Sequence, residues 1–255
     1  MKTKIPHTLI FLACFVVVTV IVSFRNSAIP AMSNISTDKR IVVIDSGHGG
    51  IDGGCVGVNG CVEKDINLAI ATDLANLLRL SGFEVVMTRS EDISLHDDGV
   101  EGIRNQKVSD MENRLKIVQS YPDSLFISIH QNQYTQPEYF GAQMFYTTNN
   151  NGNFRLAQIM QSCFAELQQG NDREVKLIDN DLYLFKDTKQ LALLIECGFL
   201  SNENDAANLS DSEYQKKVAF TIYRGIMKYY GLTDTTDVQI TEDENGEAKN
   251  PLRMQ

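Results

Sequence analysis

The sequence predicts an α/β fold in which a mostly parallel central sheet is covered by helices on both faces. Short apolar runs rich in β-branched residues, typical of strands buried on both faces, alternate with amphipathic segments of helical period. In addition, 43% of the 255 residues are hydrophobic and 22% are charged, so the chain can bury one sizeable core. We therefore expect a single folded domain over residues 38–232, with an appendage at each end.

The strands and helices of this domain follow one another in order. The predicted strands are RIVVID (40–45), FEVVMTR (83–89), SLFISIH (124–130), GAQMFYTT (141–148) and LALLIE (191–196). The predicted helices are KDINLAIATDLANLLRLSG (64–82), DMENRLKIVQSY (110–121), residues 154–168, and SEYQKKVAFTIYRGIMKYYG (212–231). In the first helix Ile66, Ile70 and Leu74 share one face, and Gly82 favours its end. Strands separated by helices in this way form a mostly parallel sheet.

The two ends of the chain differ in composition from the domain. In residues 1–31, Lys2 and Lys4 precede the charge-free apolar run 8–24, which predicts a signal peptide or a membrane anchor. A buried core helix is the alternative, disfavoured by the unbroken apolarity beside basic residues. With the positive end inside, the rest of the chain would lie outside the cytoplasmic membrane. Residues 233–255 are acidic with few apolar side chains, which predicts a disordered tail.

Charge and cysteine content exclude some classes of protein. The formal net charge of −10 argues against a nucleic-acid partner held by counterion release. Five cysteines without a CxxC pair argue against a disulfide-stapled small fold. Cys55 and Cys61 flank VGVNG, a possible turn, so either a hairpin disulfide or two free thiols fits there.

Three chemically active side chains stand at strand ends. His48 follows the first strand within SGHGGIDGG, His130 ends the third strand, and Glu196 ends the last. In open α/β sheets ligands bind beyond the carboxyl ends of the strands, so these side chains are expected to meet. The alternative for any one of them is a side chain satisfied by its neighbours.

These residue types suggest a catalytic zinc site, which usually takes three ligands from His, Glu or Asp and leaves a position for water. Of the four histidines, His7 lies in the leader and His96 in an acidic loop, where a solvated side chain is the simpler interpretation. His48 and His130 remain, together with a carboxylate. Glu63 is the nearest candidate, although an acid at a helix start that complements the macrodipole is an equally good interpretation.

Six segments in order resemble the zinc-dependent N-acetylmuramoyl-L-alanine amidases of the amidase_3 type. They are VVIDSGHGGIDGG, EKDINLAIA, MTR, LFISIHQN, GAQMFY and LLIECGFLSN, within residues 40–231. The resemblance implies hydrolysis of the amide between N-acetylmuramic acid and the first L-alanine of the peptidoglycan stem peptide. Size, single leader and lack of a wall-binding repeat resemble members that act on the spore cortex, which implies a role in muramic lactam formation and germination.

The resemblance also implies roles for individual residues. The zinc ligands fall on His48, Glu63 and His130, and the catalytic glutamate falls on Glu196. Glu196 would take a proton from the attacking water and give it to the departing alanine nitrogen. The glycines around His48 would let the backbone approach the metal and the polymer closely.

Some positions depart from the family pattern or allow two interpretations. Ser46 replaces a usual proline and Gln133 a usual alanine, which puts substrate preference in doubt more than chemistry. Arg114 forms either a structural ion pair or a substrate contact, and Asn132 is either a substrate contact or a turn residue. Cys197 is interpreted as a small core residue rather than a second nucleophile. The acidic segment 90–109 is expected to be a mobile loop near the site.

Two other functions stay open at this point. One is a zinc peptidase that cuts within the stem peptide, and the other is a catalytically silent wall-binding protein. The expected partners are peptidoglycan, a possible protein activator or recruiter, and the membrane through the N-terminal segment, with no nucleic acid. We expect an exported location outside the cytoplasmic membrane, in the forespore cortex compartment.

Overall fold

The six described strands form one sheet with the order β2-β1-β3-β6-β4-β5 in a computed structural model that describes residues 40–178 and 182–232. The strands are β1 (Ile41–Ser46), β2 (Glu84–Met87), β3 (Leu125–Asn132), β4 (Gln143–Tyr146), β5 (Lys176–Leu177) and β6 (Leu191–Phe199). The helices are α1 (Glu63–Leu80), α2 (Ile103–Gln119), α3 (Asn153–Leu167), α4 (Tyr183–Lys186), α5 (Glu203–Ser210) and α6 (Ser212–Tyr229). The predicted leader (1–31) and acidic tail (233–255) lie outside the described residues, as do the first two residues of the predicted domain (38–232).

Neighbouring strands run parallel except for one pair. β1 pairs in parallel with β2 and β3, β3 with β6, and β4 with β5, whereas β4 is antiparallel to β6. The carboxyl ends of β1, β3 and β6 therefore lie side by side in the middle of the sheet. The predicted class, a mostly parallel sheet between helices, is confirmed.

Alternate side chains of the central strands pack into two hydrophobic clusters on opposite faces. Ile44 and Ile127 contribute to the cluster under α1, α3 and α6. Val43 and Phe126 contribute to the other cluster, with Val118 of α2 and two residues of α4. Burial on both faces explains why these strands appear in the sequence as continuous apolar runs.

Four elements differ from the sequence prediction. α2 begins at Ile103, so the predicted loop over residues 90–109 ends at Gly102. β5 and α4 form within the segment 169–190, for which the sequence predicted nothing, and α5 precedes the predicted last helix. Within the described ranges, no helix combines the length and apolarity needed to cross a membrane.

Candidate metal centre

The ends of three adjacent strands bring together His48, His130 and Glu196. His130 of β3 and Glu196 of β6 are register partners in neighbouring parallel strands. His48 follows the end of β1, whose last residue pairs with Ile129. The expected meeting of these side chains at the carboxyl edge of the sheet is what the structure contains.

Glu63 completes a compact group of possible metal ligands with the two histidines. One ligand atom each from His48, Glu63 and His130 lies within 4.8 Å of the others. Glu63 Oε1 is 3.2 Å from His48 Nε2 and 3.0 Å from His130 Nδ1. The imidazole rings of the two histidines meet edge to face, with centroids 4.9 Å apart. His96 lies outside this group, with its Nδ1 2.8 Å from Ser94 Oγ, and His7 lies outside the described residues.

A short hairpin turn between Val56 and Val62 places Glu63 next to the two histidines. Val56 and Val62 form an antiparallel bridge, and the Gly57 amide donates to the Cys61 carbonyl over 2.8 Å. Glu63 is the first residue of α1, and its carboxylate accepts hydrogen bonds from the amides of Cys55 (2.9 Å) and Gln131 (3.1 Å). Of the two interpretations of Glu63, its side-chain contacts favour the ligand over the helix-end acid.

Two glycines leave room for this group. A Cβ on Gly47 would lie 2.3 Å from the His130 ring, and a Cβ on Gly54 would lie 2.5 Å from Glu63 Oε2. Gly54 also has a φ of 70°, in the left-handed region that glycine enters without steric cost. His48 itself has a φ of 62°, in the left-handed region that few residues other than glycine adopt. This backbone conformation sets the direction of its imidazole ring. Glycine at positions 47 and 54 thus keeps side-chain atoms out of the space around His48, Glu63 and His130.

Opposite charges stabilise the ionised forms of this group. Burial alone would raise the pKa of Glu63, but hydrogen bonds and charges from His130 and His48 hold it well below its usual range. Burial favours the neutral ring of His48, yet Asp52 and Glu63 raise its pKa to about 9. The site therefore provides a deprotonated carboxylate and a strongly stabilised positive charge, and a bound cation would take the place of the proton on His48.

Glu196 lies beside the ligand group without belonging to it. Burial, first of all, raises the pKa of Glu196 to about 7, with the negative charge of Glu63 acting in the same direction. Its Oε2 atom is buried and has no hydrogen-bond partner among the described residues. A carboxyl group with a pKa near neutrality can both accept and donate a proton at physiological pH.

Outer contacts orient the candidate ligand side chains, and the sequence did not predict them. Asp52 Oδ2 is 2.9 Å from His48 Nδ1, which leaves Nε2 facing Glu63. Asn67 is fully buried and donates to Glu63 Oε1 over 3.3 Å. Such partners fix the orientation of metal-ligating side chains. Asp52 stands in the quoted segment SGHGGIDGG at i+4 from His48, and that spacing was the available signal.

Arg114 is a structural residue of the site. It is 1% exposed and ion-pairs with Asp45 (2.8 Å) and Asp110 (2.6 Å). It also donates to the carbonyls of Ser46 (2.8 Å) and His48 (2.5 Å). Between the two sequence interpretations of Arg114, these contacts support the structural ion pair.

The remaining candidates lie around the site. Cys55 and Cys61 are free thiols, and Cys197 is buried in β6 as a core residue. Asn132 ends β3 at a local irregularity of the ladder, and its carbonyl accepts from the Leu200 amide over 2.8 Å. Ser46 is buried, and its hydroxyl has no partner within the described ranges.

A cavity of about 270 Å³ opens in front of the ligand group. Its polar lining includes Glu196, His48 and His130, and α4 with the residue before it contributes to its apolar lining. The lining residues are Asp45, Gly47, His48, Ile51, Asp52, Ser94, Lys107, Asp110, Met111, Arg114, Ser128, His130, Leu182, Tyr183, Leu184, Phe185, Leu194 and Glu196.

The residues present fit a zinc ion. Two imidazole nitrogens and one carboxylate oxygen are a donor set found in catalytic zinc sites. The space for the group exists because a Cβ at Gly47 or Gly54 would fill it. Glu196 lines the cavity beside this group, and its buried Oε2 atom has no hydrogen-bond partner among the described residues.

Comparison with known proteins shows similarity over most of the chain. The family model of N-acetylmuramoyl-L-alanine amidase, Amidase_3, matches residues 42–228. The germination-specific N-acetylmuramoyl-L-alanine amidase of Bacillus subtilis is 36% identical over 191 residues, which cover 75% of this chain and 80% of that protein. The amidase AmiA of Escherichia coli is 27% identical over 240 residues, covering 76% and 78%. The CwlD amidase of Clostridioides difficile, solved in complex with the GerS lipoprotein, superposes with a TM-score of 0.73 and 39% identity, covering 76% of this chain and 100% of that one.

Proposed function

We propose a zinc-dependent mechanism for this chain. The chain belongs to the N-acetylmuramoyl-L-alanine amidase family and is a peptidoglycan amidase, and the mechanism proceeds from that fact. In this proposal His48, Glu63 and His130 hold the zinc ion and Glu196 transfers protons. One observation carries it: three suitable ligand atoms lie within 4.8 Å of one another, next to a glutamate whose pKa is about 7.

The chemistry divides between the cation and the chain. When bound by His48, Glu63 and His130, zinc would supply a Lewis acid for the amide carbonyl and would make a nearby water more acidic. Glu196 accepts the proton of the attacking water and passes it to the alanine nitrogen as the amide bond breaks. Its buried position beside the ligand group raises its pKa to the range that this exchange requires.

The other side chains hold this machinery in place. Asp52 fixes the His48 ring, and the amides of Cys55 and Gln131 hold the Glu63 carboxylate in its ionised form.

The test separates ligands from the proton-transfer residue. Glu196→Gln is expected to retain zinc in metal analysis and to lose turnover on purified peptidoglycan by about a hundredfold or more. His48→Ala and His130→Ala are expected to lose both zinc and turnover. Glu84→Gln is the control, because Glu84 is an exposed glutamate at the start of β2.

Mass spectrometry of the released fragments tests the bond that is cut. Intact stem peptides with a free L-alanine amino end, absent with a chelator, are expected. Fragments cut within the stem would contradict the proposed specificity. If Glu196→Gln released zinc while Glu63→Gln retained it, the proposed roles of these two residues would be reversed.

We place this activity at the spore cortex, with export across the cytoplasmic membrane. Support comes from the germination-specific relative of Bacillus subtilis. Spores that carry only the Glu196→Gln chain are expected to lack muramic lactam in their cortex. A normal lactam content in such spores would contradict the cortex assignment.

A partner protein is part of the proposal, because the related CwlD amidase was solved in complex with a lipoprotein. The test compares the specific activity of the purified chain with its activity in an extract of sporulating cells. A higher activity in the extract is expected, and equal activity would count against an activator.

A further inference from the structure

The cavity in front of the ligand group is lined by four carboxyl side chains and few cations. Apart from the two histidines, its described cationic lining residues are Arg114 and Lys107. Arg114 is buried and committed to Asp45 and Asp110. Lys107 is different, since 49% of its side chain is exposed at the cavity mouth.

Lys107 already holds one carboxylate there. Its Nζ is 2.8 Å from Asp52 Oδ1, while the other Asp52 oxygen lies 2.9 Å from His48 Nδ1. An ammonium group carries three donors, so Lys107 can bind a second carboxylate without releasing Asp52. Because Lys107 neutralises Asp52, the charge of Asp52 opposes an incoming anion only weakly.

The proposed substrate brings an anion to this place. A stem peptide whose amino end is the scissile amide has no ammonium beside the bond, so an ionised group near that bond would be a carboxylate. The cavity also offers it apolar surface, with Leu182 and Tyr183 exposed by 42% and 47%. The chain as a whole carries a net charge of −10, so a local cation matters for holding an anionic ligand.

We propose that Lys107 is a specificity-determining residue that binds a carboxylate of the stem peptide near the scissile amide. This inference rests on the proposed amidase function, since it names the part of the substrate that one side chain recognises. A purely structural role would act through Asp52 and His48, and would change zinc affinity instead of substrate preference.

The experiment uses two synthetic muropeptides that differ only in whether the second stem residue carries a free carboxylate or a carboxamide. Both are titrated against the zinc-loaded full chain carrying Glu196→Gln, so that binding is measured without turnover. The free carboxylate is expected to bind about fivefold more tightly, the upper range for a partly exposed ion pair. Adding Lys107→Met should abolish this preference, and Lys107→Arg should restore most of it.

Arg104→Met is the matched control, because Arg104 is exposed one turn earlier on α2 and does not line the cavity. It should keep the preference. Zinc affinity is measured for every variant. Equal binding of the two muropeptides, or a Lys107→Met variant that loses zinc while keeping the preference, would overturn the proposal.

Cleavage by the otherwise unchanged chain is scored separately. If the chain bound the carboxylate form preferentially but cut neither muropeptide, even with an extract of sporulating cells added, the proposed catalytic mechanism would fail while the role of Lys107 stood. If it bound neither, the role of Lys107 would be refuted even where polymeric peptidoglycan is cut.

Discussion

At the scale of single residues, the absence of side chains matters as much as their presence. Gly54 lies against both Glu63 and His48, and an added Cβ would stand 2.5 Å from Glu63 Oε2 and 2.7 Å from His48 Cδ2. Neither contact can relax without moving a proposed ligand, because Glu63 is held by two backbone amides.

Gly54→Ala is therefore expected to weaken zinc binding by at least about tenfold, as loss of outer-shell support does at other metal sites. Gly60→Ala is the control. Gly60 has a φ of 84°, similar to the 70° of Gly54, but an added Cβ there would meet nothing within 4 Å. Gly60→Ala should lower the stability of the fold by about 1–2 kcal/mol through backbone strain and leave zinc affinity unchanged.

Zinc affinity is measured by competition with a chromophoric chelator, and stability is measured by urea unfolding. Together the two measurements separate the loss of zinc binding from the loss of stability. Equal zinc affinity in Gly54→Ala and the unchanged chain would refute the steric explanation.

The sequence predicted some residues of the candidate site and not others. His48, His130 and Glu196 could be found because parallel strand ends meet at one edge, whatever the details of packing. Asn67 could not, because its role depends on how α1 packs over β3, where its amide contacts Glu63 and Gln131. Lys107 could not either, since its segment carries no apolar period that would predict a helix facing the site.

At the scale of elements, apolar periodicity decided what was predictable. The central strands and α1 bury whole stripes of apolar residues, and the sequence located them to within a few residues. The first turns of α2 are exposed and polar, so the helix was predicted to start seven residues too late. The four residues of α4 are too few to show a period, although Phe185 packs on Phe126 with ring centroids 5.1 Å apart.

A buried ionic network joins these elements below the site. Asp45 of β1 accepts from Arg114 of α2, from Thr88 after β2, and from Ser128 of β3. Burial opposes the ionisation of Asp45, but the charge of Arg114 outweighs it and lowers the pKa of this carboxyl group. Removing one partner of a buried ion pair strongly lowers the stability of the fold, because an unpaired charge then stays in the interior.

This network predicts acid sensitivity of a defined sign. The lowered pKa of Asp45 means that its contribution is fully present above the ordinary value of 3.8 and is lost as the pH falls through the folded-state value. Arg114→Met should therefore destabilise the fold by about 3–5 kcal/mol at pH 7. Asp45→Asn should flatten the loss of stability below about pH 4.

Urea unfolding between pH 7 and pH 2 measures both effects. Glu112→Gln, an exposed carboxyl change on α2, is the control and should leave the pH profile unchanged. An unchanged acid slope in Asp45→Asn would show that other carboxyl groups carry the whole effect.

At the scale of the whole molecule, the proposed zinc ion links three separate parts of the chain. Its ligands come from the loop after β1, the start of α1 and the end of β3, so binding favours the fold over the unfolded chain. At a free zinc concentration of a hundred times Kd, the expected stabilisation is about 2.7 kcal/mol. His130→Ala should abolish it and Glu196→Gln should not.

The pKa of His48 makes this stabilisation depend on pH. Without zinc, the ion pairs that raise the pKa of His48 from 6.5 to about 9 stabilise the fold fully below pH 6.5, and this contribution is lost as the pH rises through 9. Zinc must displace that proton, so binding at pH 7.5 should release about one proton, and zinc affinity should rise about tenfold per pH unit up to pH 9.

Titration calorimetry in two buffers of different ionisation enthalpy counts the protons that zinc binding releases. Asp52→Asn removes the first contact that holds the His48 proton, so it should release fewer protons at pH 7.5. If zinc binding released no protons in the unchanged chain, His48 would not be charged before the metal arrives, and the proposed exchange of a proton for zinc at this ring would be wrong.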